Sequence, residues 1–156
     1  MTPTNIEAIF DRSLPQSPDA ERCVLGSLLL TAFLGVNVLT RVSSIITPDD
    51  FAQDSNRAVF EAILELDADG IMADLVVVKQ RLRDKGLIDR FGGGAYVSGL
   101  VDDIPDTANV EQFAKILRAK GDARREIRAF SRGIQRLTDG AHPATIATDI
   151  FSQLET

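Results

Sequence analysis

The chain has 156 residues, of which 44% are hydrophobic and 26% charged, with a formal net charge of -6; a chain of this length buries roughly 70% of its unfolded surface and holds a core without covalent staples. One cysteine, Cys23, and one histidine, His142, exclude an internal disulfide framework and a zinc site, and no stretch reaches the ~18 apolar residues of a membrane span. The charge is uneven: residues 1–114 carry 18 acids and 9 bases, whereas residues 115–136 carry eight bases and two acids, so an acidic body bears one basic rod.

The opening MTPTNIEAIFDRS holds two acids and one base. It lacks the basic n-region of a signal peptide and is expected to be a flexible segment over residues 1–14. Ser17 followed by Pro18, with Asp19 and Glu21 behind, predicts a helix through AERCVLGSLLL. Cys23, within Cys23-Val24-Leu25, reads there as a small buried hydrophobe. Thr47-Pro48-Asp49-Asp50 repeats the start signal. Asp54 or Ser55 opens the next helix, in which Val59, Phe60, Ile63, Leu64 and Leu66 recur at helical spacing until Gly70 stops the run. Asp74 caps LVVVKQRLRDKG. Its three valines suggest a strand, but Val78, Arg81, Leu82 and Lys85 continue without alternation, and Gly86 stands where a helix end takes a left-handed residue. A helix is therefore expected.

Gly92-Gly93-Gly94 invites comparison with phosphate-binding loops. A Walker loop needs a Lys and a hydroxyl after its last glycine, and here Ala95 and Tyr96 follow. A dinucleotide loop needs G-x-G-x-x-G after a strand, and Gly99 falls one position too late. The glycines read as a structural turn before a helix over AYVSGL.

Asn109 to Gln112 forms a capping box and opens the longest segment. From Phe113 its apolar spacing is 113, 116, 120, 123, 127, 130, 134 and 137, a period of 3.5 interrupted by Lys120 and the weak Ala123. Such a seam wants a partner helix, in the same chain or another. Gly121 costs about 1 kcal/mol against Ala in a helix interior, which points to a kink or a close neighbour. Gly140 ends the segment. Pro143 begins a shorter helix with Ile146, Ile150 and Leu154 on one face and Phe151 beside them. The pair makes a helical hairpin. The expected fold is all-α: a globular helical head over residues 15–106, then a C-terminal helical hairpin over 107–156 for dimerisation and docking. Ile116, Ile127, Phe130, Ile134 and Leu137, with Ile150 and Leu154, should hold the hairpin and its dimer.

Groups for catalysis are thin. His142 sits in a polar turn and reads as a solvated loop residue. Asp49-Asp50 and Asp102-Asp103 are adjacent pairs, and neighbours on a helix point about 100° apart, so neither makes a facing acid and base. No catalytic, cofactor-binding or metal-ligating residue is assigned. The basic rod has three readings: contact with phosphates, a solvated face whose arginine stems cover apolar surface, or docking to an acidic protein surface. Positions 118, 125, 128, 132 and 136 fall between the seam positions, as solvated residues should. The acidity of the whole chain favours the solvated face or protein docking.

LPQSPDAERCVLGSLLL resembles the entry motif of the N-terminal domain of DnaB-type replicative DNA helicases, with Pro15, Ala20, Glu21, Leu25 and Gly26 in the motif positions. DDF (Asp49 to Phe51), NRAVFEAILEL and GIMADLVVVKQRL are similar to the next elements. GLIDRFGGGAYVSGL resembles the family's glycine pair followed by an aromatic residue. IPDTANVEQFAKILRAKGDARREI is similar to the start of its hairpin, including Pro105, Ala108, Asn109, Ile116, Arg118 and Arg124. The resemblance spans residues 14–140. It implies a cytoplasmic, non-catalytic domain without cofactor or membrane partner. Such domains pair through their hairpins as homodimers, form a collar on the hexameric helicase, bind primase or a helicase loader, and meet DNA only indirectly. Arg118, Arg124, Arg125, Arg128 and Arg132 are the candidates for partner contact. The chain departs from the full-length family in having no Walker motif, so by itself it neither hydrolyses ATP nor unwinds DNA. TAFLGVNVLTRVSSIIT matches poorly and looks a few residues longer than usual. The alternatives are a small freestanding DNA-binding protein, or a regulator that caps a helicase, each using the basic hairpin.

Overall fold

A computed structural model describes residues 14–34, 37–102, 104 and 106–155. The flexible segment expected at the N-terminus lies outside them up to residue 13. Among the described residues the fold is all-α and holds no strand. The helices are α1 (Pro18–Thr31), α2 (Val38–Ser43), α3 (Asp54–Ala68), α4 (Leu75–Asp84), α5 (Gly93–Gly99), α6 (Val110–Thr138) and α7 (Pro143–Leu154). Single 3-10 turns stand at Ala32–Leu34, Pro48–Asp50, Ile88–Phe91 and Thr107–Asn109.

Local chemistry accounts for most boundaries. Ser17 Oγ accepts from the Ala20 amide at 3.4 Å, with Pro18 first in α1. Asp74 Oδ1 accepts from the Val77 amide at 2.9 Å and starts α4, in which Val78 and Leu82 are buried while Val76 faces out. The start signal at Thr47 yields only one 3-10 turn. Asp50 Oδ2 accepts from the Thr47 amide at 2.8 Å, and the chain then turns extended at Phe51. Phe51 is fully buried with its ring 5.0 Å from that of Phe60, so tertiary packing ends the element. The entry to α6 also differs from the expected box at Asn109: Asp106 Oδ1 accepts from the Ala108 amide at 2.8 Å and caps a preceding 3-10 turn.

The chain forms two compact units, Gln16–Gly121 and Asp122–Thr156, the latter together with the stretch ending at Pro15. The first unit packs α1, α3 and α4 around Leu25, Phe60, Ile63, Leu66 and Leu82, and it includes Val110, Ala114 and Leu117 from the first turns of α6. Gly121 belongs to the same packing. α6 runs unbroken through it, and a Cβ there would overlap Asp50 Oδ1. The glycine serves close approach, not a kink.

The motif residues of this unit interlock. Glu21 is fully buried. Its carboxylate accepts from the Ala52 amide, from the Gln53 amide at 3.3 Å and from Asn56 Nδ2 at 3.1 Å, closing the open N-terminus of α3 from thirty residues away. The Tyr96 hydroxyl donates to Asn56 Oδ1 and accepts from Ser55 Oγ at 3.1 Å. Gly92 and Gly93 hold φ of +92° and +73°, a region that L side chains avoid. They end the turn at Phe91 and launch α5, which brings Tyr96 to this network. The triple glycine thus performs the turn that its sequence suggests.

Candidate self-association and docking surface

The second unit is a helical hairpin: the outer part of α6, the turn Asp139–His142, and α7. His142 is the N-cap of α7, its Nδ1 accepting from the Ala144 amide at 3.2 Å. The two helices close on small residues. Ala129 and Gly133 are buried on α6. A Cβ at Gly133 would overlap Ile150 Cδ1 and stand 3.1 Å from Ile146 Cγ2. Ile146 is 2% exposed. Across the pair, Arg136 Nη1 meets Asp149 Oδ2 at 2.6 Å and Arg132 Nη2 donates to Gln153 Oε1 at 2.7 Å.

The expected seam residues are partly covered and partly open. Ile150 is half-buried against Gly133 and Ile127 is half-buried. Phe130, Ile134 and Leu137 are 50%, 41% and 43% exposed, and Leu154 is 36% exposed. Ile116, on the part of α6 that belongs to the first unit, is 41% exposed. On the hairpin, steps of three and four place Ile127, Phe130, Ile134 and Leu137 on one helical face. Phe151 of α7 adds a further open ring. Sequence periodicity singled out this stripe and passed over Gly133, the residue that lets α7 approach; a glycine aligned with buried small residues one turn away was the signal available.

The five arginine candidates divide. Arg124 is 3% exposed and its Nη1 donates to the Pro15 carbonyl at 2.8 Å; a guanidinium packed inside the unit does not present itself to a partner. Arg125 Nη2 pairs with Asp122 at 2.7 Å on the same helix. Arg118, Arg128 and Arg132 are exposed, the last engaged with Gln153. Cys23 is half-buried, and burial with the nearby Asp19 pushes its thiol up, which keeps it protonated. Among the described residues no helix is long and apolar enough to cross a membrane.

Comparison with known proteins adds family evidence to this geometry. The family model of the DnaB-like helicase N terminal domain matches residues 13–119. The replicative DNA helicase DnaC of Bacillus subtilis (strain 168) is 34% identical over 149 residues, which are 96% of this chain and 31% of that protein. The replicative DNA helicase DnaB of Mycobacterium leprae (strain TN) is 36% identical over 138 residues, 88% of this chain and 22% of that protein. The chain therefore spans less than a third of the length of these relatives. The crystal structure of the N-terminal domain of DnaB helicase from Mycobacterium tuberculosis superposes with a TM-score of 0.82 at 31% identity, covering 92% of this chain and 99% of that one.

Proposed function

The chain belongs to the family of DnaB-like helicase N-terminal domains, and from that premise we propose that it acts as the non-catalytic assembly and partner-docking domain of a replicative DNA helicase in the cytoplasm. The observation that carries this reading is the open stripe of Phe130, Ile134 and Leu137 on a hairpin whose two helices already satisfy each other through Ala129, Gly133 and Ile146. A contiguous apolar face of this kind marks an interaction site. A second copy of the hairpin covers it, forming a homodimer that, in a full-length helicase, repeats around a hexameric collar. Arg125, Arg128 and Arg132 line the polar flank of the hairpin and meet an acidic surface of a primase or helicase loader, with DNA touched only through those assemblies.

Light scattering tests the reading. The native chain is expected to run as a dimer, and Ile127→Asp with Phe130→Asp is expected to give a folded monomer. An unchanged oligomeric state would overturn the stripe as the interface. Binding of single- or double-stranded DNA at low salt, lost steeply as salt rises, would reassign the basic flank to phosphates.

A further inference from the structure

The unit Gln16–Gly121 carries a small open pocket, aliphatic at its floor and polar in part through Thr31, Asn37 and Asp67, that the hairpin reading leaves unused. It opens between the end of α1, the start of α2 and the segment Ile71–Ala73, and its volume is about 130 Å³. Leu28, Val38 and Ile63 form its buried floor, and Ile71 and Met72 stand at its rim, 44% and 53% exposed. A cavity of about 150 Å³ lined by aliphatic groups holds one benzene, so this space suits one large apolar side chain.

Among the described residues of the lining, Asp67 alone is charged. Its neighbours in sequence are neutralised: Glu65 meets Lys85 at 2.6 Å and Arg81 at 3.2 Å, and Asp69 meets Arg81 at 2.8 Å. Among the described residues no such pair reaches the exposed Asp67. It stands in the last turn of α3, which holds no basic residue. The carbonyls at a helix C-terminus already make that end negative, and an acid there is electrostatically adverse while a cation is favoured. Stability therefore does not explain Asp67. A carboxylate and a helix C-terminus beside the aliphatic floor of the pocket match a ligand that is apolar at its tip and cationic about one turn away.

We propose that this pocket is the anchor site for an amphipathic segment of another protein, which inserts one Leu, Met or Phe side chain and sets a Lys or Arg on Asp67. In a helical segment the two groups stand three or four residues apart, close enough to reach both. A side chain that fills a well-packed pocket is where binding energy concentrates. The socket serves as an anchor within a wider contact, since a stable interface needs more than about 1,000 Å² of buried surface. The partner chemistry is opposite to that of the arginine flank, so the two surfaces select different partners and this inference does not rest on the collar reading.

Titration of the full chain with phenylbutylamine, phenylbutanol and phenylbutyrate, followed by heteronuclear NMR, tests it. The three probes share a ring and tether and differ in the charge of the head. The amine is expected to shift amides of residues 31–34, 37–39 and 63–73 and to bind about fivefold more tightly than the acid. Asp67→Asn should erase the preference for the amine over the alcohol while both still bind. Ala73→Phe, which fills the socket from its rim, should abolish binding of all three with an unchanged circular dichroism spectrum. Equal binding of amine and acid, or shifts confined to other residues, would overturn the proposal. So would movement of the same amides on simple dilution, since a second copy would then occupy the socket.

Discussion

In the unit Gln16–Gly121 a large apolar core turns inward, with Leu25, Phe60, Ile63, Leu66 and Leu82 each at most 2% exposed, while Phe33, Leu34, Met72 and Val76 stay open at its surface. In the unit that begins at Asp122, Ala129 and Ile146 are the buried apolar residues among those described, while Phe130, Ile134, Leu137, Phe151 and Leu154 stay open. Both units are made of amphipathic helices, so the difference lies in what covers the apolar face. Burying a Leu or Phe side chain stabilises by about 1.5–3 kcal/mol relative to leaving it in water. The head collects that energy within one chain. The hairpin closes through small residues, which bring backbones together but bury little apolar area, and leaves most of its larger side chains open. One unit buries a large core of its own, and the other keeps open the stripe proposed above for assembly.

Substitutions in the two units should therefore fail differently. The largest effect is expected at Glu21. Glu21→Ala strands the Asn56 side chain in a buried site and takes the acceptor from the part-buried Ala52 and Gln53 amides. An unsatisfied buried donor costs about 1–3 kcal/mol, and with partial relaxation the loss should total about 3 kcal/mol in urea unfolding. A loss under about 0.5 kcal/mol, the range of ordinary surface changes, would mean that water replaces the carboxylate and that the network is incidental. The second effect is expected on association. Phe130→Asp should weaken self-association at least about 30-fold, the range of an interface hot spot, while shifting the unfolding of the isolated chain little. If instead it unfolds the monomer as Glu21→Ala does, the stripe belongs to an internal core and the contrast between the units collapses.

The features readable from sequence are those whose cause lies within a few residues. Ser17 and Asp74 cap the helices beside them, and Gly70, Gly86 and Gly140 stop the runs before them. The all-α class and the hairpin follow from such local signals together with the 3.5 period of α6. Glu21 illustrates the opposite case. In sequence it is a first-turn acid of α1; in space it closes the start of α3, a role set by packing that no local pattern encodes. Arg124 likewise joins a row of exposed arginines in sequence, yet packs against Pro15 at the far end of the chain. Apolar periodicity marks which side chains need cover and not which helix supplies it. That is why the stripe on α6 was legible while the small-residue face that receives α7 was not.

Gly133 gives a smaller effect whose sign is diagnostic. In an open helix Gly→Ala stabilises by about 1 kcal/mol. Here the added Cβ overlaps Ile150 Cδ1 and crowds Ile146, and overpacking costs about 1–3 kcal/mol. Gly133→Ala should thus destabilise the hairpin by about 1 kcal/mol net. Hydrogen exchange should quicken in residues 143–154 and stay unchanged in residues 16–121. Slower exchange in α7 would place the helices farther apart than Ala129 and Gly133 imply.

The smallest effect separates the units by pH. Glu65 is held below the usual carboxylate range, first by the hydrogen bond from Lys85 and then by Arg81, against some desolvation. As pH falls the unfolded chain, with its ordinary carboxylate near 4.3, binds the proton before the folded one does. The contribution of Glu65 is therefore complete above that value and disappears as pH drops through the lower folded value. The side chain is 40% exposed, so solvent screening limits the contribution to about 1 kcal/mol or less. The stability gap between the native chain and Glu65→Gln should close on going from about pH 7 to about pH 3, and should shrink in about 1 M salt at neutral pH. Self-association through an apolar stripe carries no such titration, so Glu65→Gln should leave the dimer constant unchanged at either pH. A gap that persists in acid would assign the effect of Glu65 to the packing of its aliphatic stem, and the surface of the head would then hold together as its core does, without help from charge.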